Sequence, residues 1–401
     1  LKEPQQCLIG KTLNQLGICT TELKPDSFEI QLASHIAEVK NKWDKLVPNA
    51  HFLSSSLYEI YEQCSPQHIQ YRYALVTNED NFVFCAAFQL VEIKTEHLKA
   101  RQKNDFLQYA TQLMLNMQEI SLLVCGNVYK ENLAGFYYHS QFLNQDQAIE
   151  MLHNCIEAVN KNENCAAILL KDLPSYFQPK SNLKAQKLED DISMEMPISP
   201  LWKSLQDYRA ALGKKYAARA KKILLSGTEI VVKEMDLEEI KVHKSTLHAL
   251  YSQVVHRQPF AFGTLGDSYF ELLKKQLGDT FRLKGLYLHE KLIAFYSTFE
   301  NGSEWEVHYI GIDYAYNQSH HLYFYIHFLV LEEAILKGKN RLSLGRTSLE
   351  AKAILGAVPH YNTTYLFFKN TLAECAFGYF KKNLSESESW KTRHPLKAEI
   401  A

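Results

Sequence analysis

The eight cysteines form no Cys-x-x-Cys pair, and no Cys/His set has the spacing of a zinc site. That removes thioredoxin-type redox chemistry and zinc modules, and no metal ligands are assigned. Cys85 lies in Phe-Val-Phe-Cys-Ala-Ala-Phe, Cys125 in Leu-Leu-Val-Cys-Gly and Cys165 in Asn-Cys-Ala-Ala-Ile-Leu-Leu. Such apolar surroundings predict buried, reduced thiols and a cytoplasmic protein. An excess of one charge is missing too. Lys and Arg number 44 against 45 Asp and Glu, a formal net charge of −1, so DNA is not an expected partner and any RNA or phosphate contact needs a local patch. No apolar run reaches the roughly 18 residues of a spanning helix; the longest, 322–331, is stopped by Glu332-Glu333. The N-terminus has no signal-peptide layout, and it opens on Leu1 rather than Met, so residue 1 need not be the natural start. Walker loops, Gly-x-Gly-x-x-Gly turns and serine elbows are absent, which leaves nucleotide hydrolysis, hydride transfer and serine hydrolysis unsupported.

What is present is a globular composition, 46% apolar and 22% charged, over 401 residues, enough for about two to three domains. The second half reads as a helix over 202–225, a strand over 228–235, helices over 237–255 and from Asp267 to Gly278, and a meander of strands 281–288, 292–299 and 304–312. A helix over 319–336, a strand over 341–344, a helix over 347–355 and a strand over 361–368 follow. The first half repeats the order: strand 27–32, helices 36–46 and 56–64, hairpin 71–77 and 82–93, an inserted helix near 99–117, strand 120–125, helix 146–160 and strand 166–170. Strand 193–197 is expected to close this first unit. The proline-containing stretch 174–200 reads as the connector. The expected fold is therefore α/β (α+β) with an N-terminal extension over 1–26, one domain over 27–199, a second over 200–370 and a tail over 371–401. Each domain would be a mixed, mainly antiparallel sheet flanked by helices.

Around residue 345 a short apolar strand runs into Gly345, and an Arg346-Thr347-Ser348 turn opens a helix. A cation and backbone N–H groups at a strand's C-terminal end make an anion-binding layout, with Lys352 one turn on from Ser348. Alternation places Glu304, Glu306 and His308 on one face of strand 304–312, with Trp305, Val307 and Tyr309 on the other. Two carboxylates and an imidazole in a row cannot face a dry core unpaired, so that face is expected to open to water or to a cleft. Lys214, Lys215, Arg219, Lys221 and Lys222 make the one dense positive patch, which most simply is a solvated helix face.

The element order, the basic helix Tyr208-x-x-x-Leu212-x-x-Lys215-Tyr216-x-x-Arg219-x-Lys221-Lys222 and the segment Leu344-Gly-Arg-Thr-Ser-x-x-x-Lys352-x-x-x-Gly356-Ala-x-Pro359 resemble the FemABX-like tandem branch of the GNAT acyltransferase superfamily. The resemblance covers about residues 27–370 and implies transfer of an acyl or aminoacyl group from an activated donor to an amine. It also implies aminoacyl-tRNA-dependent peptide-bridge formation on cell-wall precursors as an alternative. A non-catalytic binding protein on the same fold is the rival. No tightly bound cofactor is expected; the donor would be acyl-coenzyme A, acyl-carrier protein or aminoacyl-tRNA. The acceptor would be a small-molecule or lipid-linked amine, and tRNA or a carrier protein would be the macromolecular partner.

The resemblance puts the reaction beside strand 304–312, with Glu306 or His308 as general base and Arg346 as the cation near the developing oxyanion. Asn317, Ser319 and His320, at the start of the helix over 319–336, would bind the donor with Thr347, Ser348 and Lys352. His256, Arg257, Phe260 and Phe262 would line the acceptor side, together with Tyr309. One departure stands out: the turn Asp313–Leu322 contains no glycine, whereas a coenzyme A pyrophosphate turn needs glycines for close backbone approach.

Overall fold

The computed structural model describes residues 28–49, 51–93, 120–179, 185–189, 191–258, 261–369, 374 and 390–397. The N-terminal extension, the inserted helix near 99–117, Phe260 and most of the expected tail lie outside these residues. The first half contains β1 (Phe28–Ala33), α1 (Ile36–Leu46), α2 (Ser55–Cys64), β2 (Ile69–Asn78), β3 (Asn81–Ile93), β4 (Ile120–Cys125), β5 (Phe136–Tyr138), α3 (Gln145–Glu163), β6 (Ala167–Leu173), β7 (Ala185–Lys187) and β8 (Ile192–Pro197). Next come α4 (Leu205–Ala211), α5 (Lys214–Ser226), β9 (Val231–Glu234), α6 (Leu237–Val242), α7 (Lys244–Val255), α8 (Tyr269–Leu277) and the meander β10 (Phe281–Leu288), β11 (Lys291–Asn301) and β12 (Glu304–Ile312). The chain goes on through α9 (Tyr314–His320), α10 (Leu322–Leu336), β13 (Arg341–Gly345), α11 (Leu349–Ala353), β14 (Val358–Tyr361) and β15 (Thr363–Phe368).

Three expected helices are each divided, and for local reasons. Extended backbone at Leu212 and Gly213 separates α4 from α5. His243 (φ −92°, ψ 8°) leaves helical geometry between α6 and α7, and left-handed His321 (φ 49°) separates α9 from α10. Ser268, not Asp267, is the N-cap of α8. Where capping chemistry is strong the boundaries hold: Asn144 accepts the Gln147 N–H at 2.9 Å to open α3, and left-handed Asn164 ends it.

Two mixed sheets result. The first has the order β1-β2-β3-β4-β6-β15-β7, with β5 alongside β3, and the second has the order β14-β8-β13-β12-β11-β10-β9. In each, one parallel pair interrupts antiparallel neighbours: β4 with β6, and β12 with β13. The closing strands are exchanged. β8, expected in the first unit, pairs with β13 and β14 of the second sheet, while β15 pairs with β6 and β7 of the first.

Apolar burial follows this layering. α3 covers the outer face of the first sheet, packing Leu152, Cys155 and Ile156 beside Phe84 and Phe88. α4, α5 and α10 cover the outer face of the second through Tyr208, Ile223, Ile326 and Leu331. Between the sheets lies one shared core to which both halves contribute, including Trp43, Tyr58 and Tyr73 from the first and Tyr251, Tyr269 and Phe270 from the second. Aromatic side chains bury large areas in edge and stacked pairs, so this seam binds the halves together. Cys64, Cys85, Cys125, Cys155 and Cys165 are buried free thiols, as their apolar settings suggested.

Candidate functional site

The parallel ladder between β12 and β13 is short. It registers Glu304 with Arg341, Trp305 with Leu342 and Glu306 with Ser343, after which the strands part. β4 and β6 part in the same way after Cys125 and Leu170. Residues following each parting meet those following the other at the junction of the halves, and the expected site residues Glu306, His308, Tyr309, Arg346 and Lys352 gather there.

A β-bulge shapes the β12 edge. Tyr296 faces Ile310 and Thr298 faces Val307, so Ser297 alone opposes both His308 and Tyr309. Ser297 Oγ takes the Tyr309 N–H at 3.1 Å and donates to its carbonyl at 3.2 Å, replacing ladder bonds. The expected alternation is overturned at this step: Tyr309 joins His308 on the side of the shared core, while Val307 and Ile310 pack in the outer core. The Tyr309 ring lies 4.8 Å from that of Tyr251, and its hydroxyl donates to the Tyr129 carbonyl at 3.0 Å.

His308 and Glu306 have different electrostatic states. His308 Nε2 is 2.8 Å from the Tyr269 hydroxyl, and its ring lies 4.6 Å from that of Phe299. Burial, then the Lys130 charge, pushes its pKa well below the usual histidine range, so the imidazole is neutral at pH 7. Glu306 is buried and accepts from Lys130 Nζ at 2.6 and 2.7 Å. Burial pushes its carboxyl up, and Lys130 opposes that shift. Lys130 also donates to the Glu131 carbonyl at 2.9 Å, and its ammonium lies 4.4 Å from the Phe52 ring centre. Glu304, on the same strand, pairs with Arg341, which also binds Glu195 at 2.9 Å.

The Arg346 guanidinium is not offered to the slot as expected. Its Nε donates to Asp191 at 2.6 Å and its Nη2 to Asp172; Thr364 Oγ1 donates to Asp191 at 2.5 Å. Burial opposes its charge, but Asp172, Glu131 and Asp191 outweigh that and hold its pKa above the usual value. Nη1 alone is left without a hydrogen-bond partner among the described residues. Its backbone N–H donates to Glu131 at 3.1 Å. Lys352 is buried with Nζ on the Gly345 carbonyl at 3.0 Å, and burial lowers its pKa to about 8 against the pull of Glu131.

The remaining expected residues are placed differently. Asn317, Ser319 and His320 belong to α9, before the break, rather than to the first turn of α10. Asn317 Oδ1 accepts the Tyr323 N–H at 3.0 Å and so occupies a donor of the α10 N-terminus, where a phosphate was expected. Ser319 Oγ bonds the Tyr316 carbonyl and His320 Nδ1. Thr347 and Ser348 are exposed; Ser348 is left-handed (φ 56°), makes no side-chain cap bond and precedes a helix of only five residues. Exposed His256 ends α7, Arg257 stacks on Tyr314 at 3.9 Å, and the Phe262 carbonyl meets His68 Nε2 at 2.7 Å. The contacts of Arg257 and Phe262 thus run to α9 and to the first half. The basic residues of α5 are exposed, with Arg219 lying 4.6 Å from the Phe324 ring.

Sequence reasoning missed Lys130, Glu131, Lys171, Asp172 and Asp191. A signal existed: Lys171-Asp172 ends the apolar run of β6 just as Gly345-Arg346 ends that of β13, and Lys130-Glu131 stands in the matching turn after β4. Among the described residues no group of three or more His, Cys, Asp or Glu could hold a metal, and no helix is long and apolar enough to cross a membrane.

No protein-family model and no curated protein matches the sequence. Solved structures do match its shape. A crystal structure of FemX aligns at a TM-score of 0.50 and 12% identity, covering 86% of this chain and 98% of FemX. The C-terminal domain of a putative lysylphosphatidylglycerol synthetase from Agrobacterium fabrum aligns at 0.48 and 10% identity, covering 87% and 97%. A tandem GNAT protein from the clavulanic acid biosynthesis pathway aligns at 0.46 and 9%, covering 85% and 99%. At such identities the FemX likeness is one of fold. The chain has the overall fold of FemX.

Proposed function

We propose that the chain moves an acyl or aminoacyl group from an activated donor to an amine, in the slot where β12 and β13 part. The carrying observation is that parting itself, immediately after Glu306 and Ser343, with His308 and Tyr309 brought to one side by the bulge. Strand edges released from a ladder leave backbone donors and acceptors that a planar acyl group can use. The amine nitrogen attacks the acyl carbonyl, its proton passes to a base, and the leaving group departs. His308 suits the base better than Glu306. Its imidazole is neutral and bonded to a hydroxyl, whereas both Glu306 oxygens are held by an ammonium. Arg346 fixes the turn through Asp172 and Asp191.

Because α9 and Asn317 occupy the expected pyrophosphate position, the donor is better presented by a carrier protein or a tRNA than gripped as free coenzyme A. The exposed cations of α5 suit either partner. A second reading, a binding protein without catalysis, is favoured by the side chains of Lys130 and Glu131 filling the slot. The full chain, incubated with acyl-coenzyme A, acyl-carrier protein or aminoacyl-tRNA and an amine panel, should yield an N-acyl product by mass spectrometry. His308→Gln should lower the rate by about 10²–10⁴. Absence of product with every donor, or an unchanged rate in His308→Gln, overturns the proposal.

A further inference from the structure

Between Gly126 and Gly135 the chain makes a loop whose ends touch; a Cβ on Gly135 would lie 2.2 Å from Gly126 N. Its tip enters the slot from the first half, and three consecutive residues reach both edges. The Tyr129 carbonyl takes the Tyr309 hydroxyl on β12, the Lys130 ammonium takes Glu306 on β12, and the Glu131 carboxylate takes the Arg346 N–H at the end of β13.

Each charge sits in a setting suited to its chemical type. The ammonium has a buried carboxylate beneath it and the rings of Phe52 and Phe299 at 4.4 and 5.8 Å, the composition of an ammonium box. The Glu131 carboxylate meets a backbone N–H, and Lys171, Arg346 and Lys352 all lie near enough to feel its charge. Gly345 allows the approach: with φ +82°, a Cβ there would come within 3.0 Å of that carboxylate. The tip is an irregular loop, not a strand or helix, so its removal breaks no ladder.

We propose that Lys130 and Glu131 are an internal stand-in for the acceptor, and that the slot receives an amine carrying a carboxylate, of the amino-acid class, when the tip withdraws. The proposal rests on the slot being the transfer site. It accounts for why Glu306, buried at the parting, is fully paired in the resting chain: a ligand ammonium replaces that of Lys130, and a ligand carboxylate replaces that of Glu131.

The test is calorimetric and independent of turnover. The 401-residue chain and its Lys130→Ser/Glu131→Ser variant are titrated with ω-amino acids from glycine to 6-aminohexanoate, with n-butylamine and acetate as single-charge controls. The variant should bind at least one ω-amino acid about ten-fold more tightly than the wild type and than either control. Equal binding by both proteins, or equal binding of a control, overturns the proposal. If the double variant fails to fold by circular dichroism, Glu131→Gln alone should give a smaller gain of the same sign, and no gain there overturns it equally. Tight binding without product in the transfer assay would reject the transferase reading and leave the stand-in intact; product without a binding gain would do the reverse.

Discussion

Lys130 and Glu306, 176 residues apart in sequence, meet at 2.6 and 2.7 Å, both buried, across the seam between the halves. An ion pair so placed stabilises little over an apolar replacement but is costly to break from one side. Glu306→Gln should therefore lose about 3–5 kcal/mol in urea unfolding. The double variant Lys130→Met/Glu306→Leu should recover most of that loss. A single-variant cost near zero would mean that Lys130 escapes to water and is not held in the slot.

Arg346 links strands of both halves through Asp172 and Asp191. Arg346→Met strands two carboxylates and should cost about 3 kcal/mol or more at pH 7. Burial opposes the Asp172 charge, but Lys171 and Arg346 outweigh it and hold its pKa below the ordinary value, so its contribution is complete above that value and fades as pH falls through the folded one. The gap between wild type and variant should accordingly narrow in acid. A gap that stays constant from pH 7 to pH 3 would remove the carboxylates from this account.

His327 on α10 donates its Nδ1–H to the Tyr323 carbonyl, 2.7 Å away, and burial lowers its pKa to about 4. The unfolded chain takes up a proton near pH 6.5, whereas the folded chain resists until about pH 4, so stability should fall as pH drops through that window. At about 1.4 kcal/mol per unit the loss approaches about 3 kcal/mol. His327→Leu should flatten this limb in unfolding curves at pH 4 to 7, and an unchanged slope would assign it to other groups.

The bulge depends on one hydroxyl. Ser297→Ala removes the partner of both the Tyr309 N–H and its carbonyl, and should cost about 1–3 kcal/mol. Because His308 lies within the bulge, its imidazole NMR signals should move as well. Stability and signals both unchanged would show the bulge to be held by the ladder alone.

Much of this arrangement is legible in the sequence. Apolar periodicity located the meander and most helices, and the Gly345-Arg346 punctuation marked the end of β13, so Glu306, His308, Arg346 and Lys352 were expected in one region and are found there. Three things were not readable. Period-two alternation carries no mark of a bulge, so Tyr309 was assigned to the wrong face. A left-handed histidine at 321 has no sequence signature like that of glycine, so 313–322 reads as a turn before a helix from 319, and α9 is not foreseen. Lys130 looks like any loop lysine, because its partner lies in another sheet and long-range pairing leaves no local trace.

The crossing of β8 and β15 governs the timing of assembly. During synthesis the first sheet lacks its β15 neighbour until residue 368 has left the ribosome, while β8, made early, must wait for β13. The second sheet has all its strands once β14 is made and the first only once β15 follows, so both close near the end of synthesis and the slot matures late.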